Sequence, residues 1–359
     1  MRWLQAPVLK LVISRRIHYL GPMQGDLATA RRFSVAPMMD WTDRHCRYLH
    51  RLLTGRALLF TEMVTSPAVV HGRREQLLGY DPSEQPLAVQ LGGSDPHELA
   101  EASRICAEFG FAEINLNVGC PSDRVQSGRF GACLMAEPEL VATCVRAMRE
   151  ATTVPVTVKC RIGIDDQDTE QSLDRFADVM VAAGAVALYV HARKAWLKGL
   201  SPKENRTVPP LDYARVYRLA ERLAPFPVMI NGGIESLDAA QAHLKHTSGV
   251  MLGRAAYHDP LLLAEVDHRF FGETPNPLDL RRIVEAMAEY ADAQLARGVR
   301  LNQITRHMLG LANGRPGARQ FRQILSVDAS RHGAGPEVIE RAFAALDQSV
   351  SSRELELTA

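Results

Sequence analysis

The sequence predicts an α/β protein, a (β/α)8 barrel of the TIM type followed by a smaller helical domain. Eight short runs rich in β-branched and apolar residues recur over about 240 residues, the size expected for such a barrel. Longer amphipathic stretches separate the runs, which is the pattern of a parallel sheet connected by helices. The length of 359 residues suits one barrel with an appended domain better than two equal domains.

The eight predicted strands follow one another at helix-sized intervals. They lie in residues 33–39, 57–63, 86–93, 112–119, 155–162, 186–192, 227–233 and 249–255. Successive side chains of a strand point to opposite faces. In the fifth run this places Thr157, Lys159 and Arg161 on one face, and we expect that polar face to point toward the barrel axis.

The same alternation brings polar side chains to the carboxyl ends of other strands. It groups Asn115 with Asn117 and Tyr189 with His191, and it places Gln90 near the end of the third run. Active sites of (β/α)8 barrels are built at this end of the strands. The sequence therefore predicts one shared site there.

The motif NLNVGCP at residues 115–121 ends a buried strand with Cys120, which a proline follows. A thiol held there can donate a proton to a molecule at the mouth of the barrel. The alternative is a small buried cysteine without chemistry, a common place for free cysteine. Cys133 is the rival thiol, but its neighbours predict a helix start packed on the sheet, so we expect a core residue.

The last two strands end in glycine-containing turns suited to an anion. Asn231, Gly232 and Gly233 leave the seventh run, and Gly253 and Arg254 leave the eighth. Backbone N–H groups at such turns can approach a phosphate, and the arginine adds charge. A turn without a ligand is the alternative reading. Because no GxGxxG motif follows the first strand, a mononucleotide phosphate is favoured over a Rossmann dinucleotide site.

Composition indicates a soluble protein without metal chemistry. The formal net charge is +1 and the pI is near 7.7, so any contact with nucleic acid must come from a local basic patch. The six cysteines form no CxxC pair and the histidines no HxH or HExxH arrangement, so we expect reduced thiols, a cytoplasmic protein and no metal. We also expect a monomer.

Residues 1–32 are predicted to be a disordered N-terminal extension. The alternative is that the true start is Met23, in which case residues 1–22 do not belong to the native protein. Their apolar run, residues 11–13, is far too short to span a bilayer, and no clear cleavage site supports the alternative of a signal peptide. We expect no association with a membrane. The barrel is assigned to residues 33–275, the helical domain to 276–350 and a tail to 351–359.

Seven motifs together resemble tRNA-dihydrouridine synthases, most closely the A-type bacterial subfamily. They are VAPMMDWTD at 35–43, FTEMV at 60–64, QLGG at 90–93, NLNVGCPSDRVQSGRFGACLM at 115–135, TVKCRIG at 157–163, HARKAWLKGLSPKENR at 191–206 and INGGI at 230–234. The resemblance covers about residues 33–330. It leaves the N-terminal extension unexplained.

The resemblance implies an enzyme with tightly bound FMN that uses NADPH to reduce the C5=C6 bond of D-loop uridines in tRNA, at positions 20 and 20a. It places Pro37, Met38 and Met39 along the flavin, Gln90 and Lys159 at its ring system, His191 at the flavin or its phosphate side, and Asn231, Gly232, Gly233, Gly253 and Arg254 at the phosphate. His191 as a core histidine and Lys159 as half of a structural ion pair remain the alternatives.

The implied chemistry gives Cys120 the role of proton donor. Hydride passes from flavin N5 to C6 of the uracil, and the Cys120 thiol protonates C5. A cysteine with an ordinary pKa of about 8.5 is mostly protonated at neutral pH and can act as a general acid. Asn117 is assigned to direct RNA contact. We expect NADPH to use the same open mouth as the RNA, in alternation.

The predicted helical domain carries the basic patch. Seven arginines and a single acidic residue, Asp328, lie between Arg297 and Arg331. Arg319 and Arg322 are three apart and share a helical face. We expect them to bind tRNA phosphates, the alternative being a solvated basic face. By the resemblance, Lys203 and Arg206 in the loop after strand six are the barrel's own RNA contacts.

Two other function classes share parts of this pattern. A small-molecule flavoenzyme, resembling dihydroorotate dehydrogenase or an enoate reductase, has the barrel and phosphate turns but needs no arginine-rich domain. A non-catalytic RNA-binding barrel would be colourless and lack a flavin absorption band.

Overall fold

The computed structural model of the chain describes residues 27–122 and 128–346, and its strands form one parallel barrel. The strands are β1 (Phe33–Val35), β2 (Leu59–Thr65), β3 (Leu87–Gly92), β4 (Glu113–Val118), β5 (Val156–Arg161), β6 (Leu188–His191), β7 (Val228–Asn231) and β8 (Gly249–Leu252). They pair in the order β1-β8-β7-β6-β5-β4-β3-β2. A parallel bridge between Ser34 and Leu58 closes the ring. This confirms the predicted (β/α)8 barrel.

Seven of the eight strands lie inside the predicted runs, and β2 extends beyond its run by two residues. The β2–β3 register shifts between Phe60 and Met63. There the amide of Gln90 donates to the hydroxyl of Thr61 at 3.0 Å. The side chain replaces a ladder hydrogen bond, so pairing resumes past the irregularity and reaches Thr65.

Helices surround the barrel. Up to residue 271 they are Leu27–Ala30, Arg44–Leu53, Ser66–His71, Arg74–Leu78, Pro96–Glu108, Pro138–Ala151, Thr169–Ala183, Tyr213–Leu223, Leu237–His243, Arg254–His258 and Val266–Phe271. Side chains of Asp43, Asp95, Asp168, Asp212 and Ser236 accept hydrogen bonds from the first-turn amides of the helices that follow them. These caps satisfy amides that a helix start otherwise leaves unpaired.

The strand alternation separates two hydrophobic cores. Val156, Val158 and Cys160 belong to the large core between the barrel and its helices. Phe60 and Tyr189 belong to a small core inside the barrel. Among the described residues, the barrel interior near the base is therefore packed with side chains.

The base of the barrel involves residues that the sequence assigns to the extension. The helix Leu27–Ala30 precedes β1, and Arg31 forms a buried ion pair with Glu113 of β4 at 2.7 Å. Residues 27–32 thus belong to the barrel fold. Residues 1–26, 123–127 and 347–359, which include the predicted tail and part of the 115–135 motif, lie outside the described residues.

The region after residue 276 is helical, with helices Leu280–Leu295, Leu301–Thr305, Ala318–Val327 and residues 337–346. It packs on the helix Arg44–Leu53, where Tyr48 and Tyr290 stack with ring centroids 4.0 Å apart. The helical region is therefore docked beside the loop that follows β1. Among the described residues, no helix is both long and apolar enough for a membrane span.

Candidate active site

An open cavity of about 680 Å3 lies at the carboxyl ends of the strands. Its lining includes Cys120, Asn117, Arg206 and all eleven residues assigned to the cofactor: Pro37, Met38, Met39, Gln90, Lys159, His191, Asn231, Gly232, Gly233, Gly253 and Arg254. Parallel strands bring their carboxyl ends to one rim, which explains why residues from 37 to 254 meet here. The volume is within the range of small-molecule and cofactor sites.

The turns after β7 and β8 leave room for an anion. Gly232 and Gly233 have φ angles of +112° and +66°, a conformation that favours glycine. A Cβ on Gly232 would come within 3.2 Å of the His191 ring. Arg254 begins the next helix beside them. Exposed amides and a guanidinium at this end of a barrel suit a phosphate.

His191 and Lys159 line this space, and each has a polar group without a partner among residues 27–122 and 128–346. The buried Nδ1 of His191 has no hydrogen-bond partner there, and no carboxylate of those residues forms an ion pair with Lys159. Burial lowers the pKa of His191 well below its usual value, with Arg161 and Lys159 adding to the effect. Burial, helped by Arg161, lowers the pKa of Lys159 to about 8. Both side chains fit a ligand that supplies polar or anionic atoms.

The cavity wall combines those polar groups with apolar surface. Pro37, Met38 and Met63 line it, and Met39 is 55% exposed at the rim. A flat aromatic ring system with a phosphate tail matches this arrangement of apolar wall, buried donors and glycine turns. The residues present therefore fit a flavin mononucleotide.

Cys120 is half-buried at the cavity and held by its neighbours' backbone. The side-chain oxygen of Asn117 accepts hydrogen bonds from the amides of Gly119 (3.1 Å) and Cys120 (2.9 Å). Arg161 donates from Nε to the carbonyl of Gly119 at 2.9 Å. The thiol lies 3.6 Å from the hydroxyl of Ser122. The strand end thus presents the thiol in a fixed loop facing the cavity.

The rival thiol, Cys133, is placed differently. It contacts the carbonyl of Phe130 at 3.2 Å and does not line the cavity. Burial raises its pKa, and Glu137 adds to that effect. Its position in the short 3-10 helix Gly131–Ala136 agrees with the predicted packing role.

Arg161 is a site residue whose role the sequence did not assign. Besides Gly119, it donates to the carbonyls of Lys194 (2.9 Å) and Asn205 (3.0 Å). It therefore joins the Cys120 loop to the loop after β6. The sequence did place Arg161 on the inner face of β5, together with Lys159. It could not show the hydrogen-bond partners, because these are backbone carbonyls that lie far from Arg161 in sequence.

The residues assigned to tRNA fall in two places. Arg206 lines the cavity and Lys203 is exposed beside it in the loop after β6. Arg319 and Arg322 are exposed on the helix Ala318–Val327, away from the cavity lining. Within the described chain, neither forms an ion pair. No cluster of three or more metal-ligating side chains occurs in the described ranges.

Comparisons with known proteins identify the family to which this chain belongs. A sequence family described as "Dihydrouridine synthase (Dus)" matches residues 34–347. The fold and the cavity are those of a barrel enzyme of the flavin oxidoreductase class. The chain belongs to the dihydrouridine synthase family, which confirms the resemblance seen in the motifs.

Several curated relatives are named tRNA-dihydrouridine(20/20a) synthase, and two of them show the extent of the similarity. The protein of Xanthomonas axonopodis pv. citri (strain 306) is 58% identical over 320 residues, 89% of this chain and 95% of the relative. That of Escherichia coli (strain K12) is 53% identical over 323 residues, 90% of this chain and 93% of the relative. A solved 2-naphthoyl-CoA reductase complex shares the fold, with TM-score 0.51 and 11% identity over 66% of this chain; the match spans about half, 49%, of that chain.

Proposed function

We propose that this protein reduces the C5=C6 bond of uridines 20 and 20a in tRNA, with FMN as its cofactor and NADPH as reductant. The observation that carries the proposal is the cavity, where Cys120 and the residues suited to hold a flavin face one another. The activity printed in the names of relatives that cover most of the chain supports it. A cytoplasmic monomer is part of the proposal.

Different groups would hold the two ends of the cofactor. Gly232, Gly233 and Arg254 would hold the phosphate through amides and charge. Lys159 and Gln90 would hold the ring system, where a cation would stabilise negative charge. When bound and reduced, the flavin supplies the hydride that adds to C6 of the uracil.

Cys120 completes the reduction. As hydride adds to C6, negative charge develops on C5 and the C4 carbonyl, and the Cys120 thiol gives its proton to C5. The resulting thiolate takes a proton from solvent before the next turnover. The uracil gains one hydride and one proton, which balances the reduction to dihydrouracil.

Asn117 has two roles: it holds the backbone next to the Cys120 thiol, and it donates a hydrogen bond to the uracil base. Its Oδ1 holds the amides of Gly119 and Cys120, and its Nδ2 donates to Gln90 at 2.8 Å. An amide nitrogen carries two hydrogens, so one remains for the uracil edge. The proposed RNA contact is thus a single donated hydrogen bond from a side chain already fixed in place.

The tRNA is held by two basic surfaces. Lys203 and Arg206 lie at the mouth, and Arg319 and Arg322 lie on the helical region. Extruding a base from its stack costs on the order of a few kcal/mol. Phosphate contacts away from the cavity supply that energy without contacting the reacting atoms.

The test is to incubate the purified yellow protein with NADPH and unmodified tRNA and to map dihydrouridine by nucleotide. Appearance at positions 20 and 20a is the expected result. Dihydrouridine elsewhere would refute the site assignment. Reduction of free uridine as fast as tRNA would instead indicate a small-molecule flavoenzyme, and a colourless preparation a binding protein.

A further inference from the structure

Six buried side chains form a hydrogen-bonded line inside the barrel, from its base to its mouth. Arg31 donates to Glu113 (2.7 Å), Thr157 to Glu113 (2.6 Å), Asn115 to Thr157 (2.9 Å), Gln90 to Asn115 (2.8 Å) and Asn117 to Gln90 (2.8 Å). Each of the six is less than 9% exposed. We refer to these six side chains as the barrel relay.

The ion pair at the base fixes the direction of the relay. A guanidinium can only donate, and the carboxylate of Glu113 that it pairs with can only accept. The hydroxyl of Thr157 therefore gives its one hydrogen to Glu113. Toward Asn115 it can only accept, so Asn115 must present its Nδ2 to Thr157.

This direction passes through two more amides to the mouth. With Nδ2 of Asn115 committed, its Oδ1 faces Gln90 and accepts from Nε2. Gln90 then offers its oxygen to Asn117, which must present Nδ2. Only in this orientation does the oxygen of Asn117 face the two backbone amides of the Cys120 loop.

A reversed relay would be incompatible with the loop. If Asn117 turned, its NH2 group would oppose the N–H groups of Gly119 and Cys120, and those donors would lose their acceptor. Buried donors without acceptors are costly. The orientation of one amide at the mouth thus depends on a carboxylate at the base.

We propose that Thr157 is a positioning residue for Cys120, acting through Asn115, Gln90 and Asn117. Thr157 is fully buried and does not line the cavity, so it contacts neither substrate nor cofactor. Its hydroxyl donates to the carboxylate of Glu113 and can therefore only accept from Asn115. This fixes which end of each following amide side chain is the donor. This inference rests on the proposed role of Cys120 as proton donor.

Three variants separate this role from simple support of the fold. Thr157→Val removes the hydroxyl at constant volume, and Thr157→Ser keeps it. Thr247→Val is the matched control, since Thr247 is a buried threonine whose hydroxyl bonds the carbonyls of His243 (3.0 Å) and Gly249 (3.1 Å) at the amino end of β8. It lies away from the cavity lining.

Three measurements are made on each flavin-loaded variant. Single-turnover reduction of tRNA by the prereduced enzyme reports proton delivery, and reduction of the flavin by NADPH reports the other half-reaction. Alkylation of Cys120 by iodoacetamide, followed by peptide mass spectrometry, reports how the loop holds the thiol without requiring activity. Wild-type protein that fails to reduce tRNA would refute the proposed function, while the alkylation comparison would still test the relay.

For Thr157→Val we expect about a tenfold loss in the tRNA step, corresponding to one lost buried hydrogen bond. Flavin reduction stays within about twofold, and Cys120 is alkylated about threefold faster because its loop is less firmly held. Thr157→Ser restores both values. Wild-type rates in Thr157→Val, equal losses in Thr157→Ser, or equal losses in Thr247→Val would each overturn the proposal.

Discussion

His307 of the helical region and Asp43 of the barrel form a hydrogen-bonded pair at 3.0 Å, although 264 positions separate them in sequence. Arg306 reaches the same carboxylate at 2.6 Å. The other side of Asp43 caps the helix Arg44–Leu53 through the amides of His45 and Cys46. One carboxylate therefore both starts a barrel helix and anchors the proposed tRNA-binding region beside the mouth.

Replacing Asp43 by asparagine should loosen that anchor while keeping the helix cap. Asparagine is as good a cap as aspartate, but it lacks the charge that pairs with Arg306. We expect a loss of about 1–2 kcal/mol in the free energy of unfolding and weaker tRNA binding, with flavin retained. Asp95→Asn is the control, because Asp95 also caps a helix but forms no ion pair with any other described residue. Equal losses in both variants would contradict the anchoring role.

The contact between the barrel and the helical region also predicts that the stability of the fold depends on pH. Burial lowers the pKa of His45 to about 4, although Asp43 acts in the opposite direction. The unfolded chain takes up this proton near pH 6.5 and the folded chain does not, so stability falls as pH drops from about 6.5 toward 4. From pH 7 to 5 the contribution of His45 is about 2 kcal/mol.

Denaturant unfolding at pH 7 and pH 5 checks this prediction. His45→Gln keeps a polar partner for the hydroxyl of Tyr290, which lies 2.8 Å from His45 Nδ1. The variant should be less stable at pH 7 but lose less stability than the wild type on moving to pH 5. Asp43, whose pKa is lowered by His307 despite the opposing effect of burial, loses its contribution only as pH falls below about 4.

Much of the barrel could be predicted because strand patterning is local. Alternation in residues such as Thr157 and Lys159 places them on the inner face, and the carboxyl ends of parallel strands must meet at one rim. The helix Leu27–Ala30 at the base of the barrel was not predicted, because four residues are too few to show a periodic pattern. The extension of β2 to Thr65 was also not predicted. It depends on the hydroxyl of Thr61 replacing a backbone acceptor in the sheet, and the alternation of side chains does not reveal such a replacement.

The links within the site could not be predicted in the same way. Arg161 holds carbonyls of two different loops, and Asp43 meets His307 only once the helical region is docked. Such pairs depend on three-dimensional distances that no spacing in the sequence encodes. The motif around Cys120 placed this residue at the end of β4, and the structure puts it in the cavity lining. Its role as proton donor, which came from the resemblance, stays a prediction.

Cys120→Ala should separate the two half-reactions. We expect flavin binding and reduction by NADPH to stay at the wild-type level, because the thiol serves the uracil. Reduction of tRNA should fall by about 100-fold or more, the usual contribution of a general acid. Stopped-flow measurement of each half-reaction provides the test, with Cys133→Ala as the control that keeps full activity. Full turnover in Cys120→Ala would remove it from the acid role.

Gly232→Ala should block the proposed phosphate end of the cavity. The residue has φ +112°, and a methyl group there would lie 3.2 Å from the His191 ring. We expect about 1–2 kcal/mol of strain and at least about a tenfold weaker hold on FMN. Gly199→Ala is the matched control, since φ is +82° but nothing lies within 4 Å of its Cβ position. Flavin affinity is read by fluorescence titration of the apoprotein, and equal affinity in both variants would contradict the assignment.

Arg322→Ala should weaken the hold on tRNA without disturbing chemistry at the flavin. Arg322 is exposed, and one lost phosphate contact should reduce the slope of log affinity against log salt by about one. Arg281→Ala is the control, because Arg281 is exposed on another helix of the helical region, Leu280–Leu295, and pairs with Glu285 at 3.4 Å. Binding measured at several salt concentrations, with NADPH oxidation measured in parallel, distinguishes the cases. An unchanged slope, or an equal loss of NADPH oxidation, would show that this face is simply solvated or supports the fold.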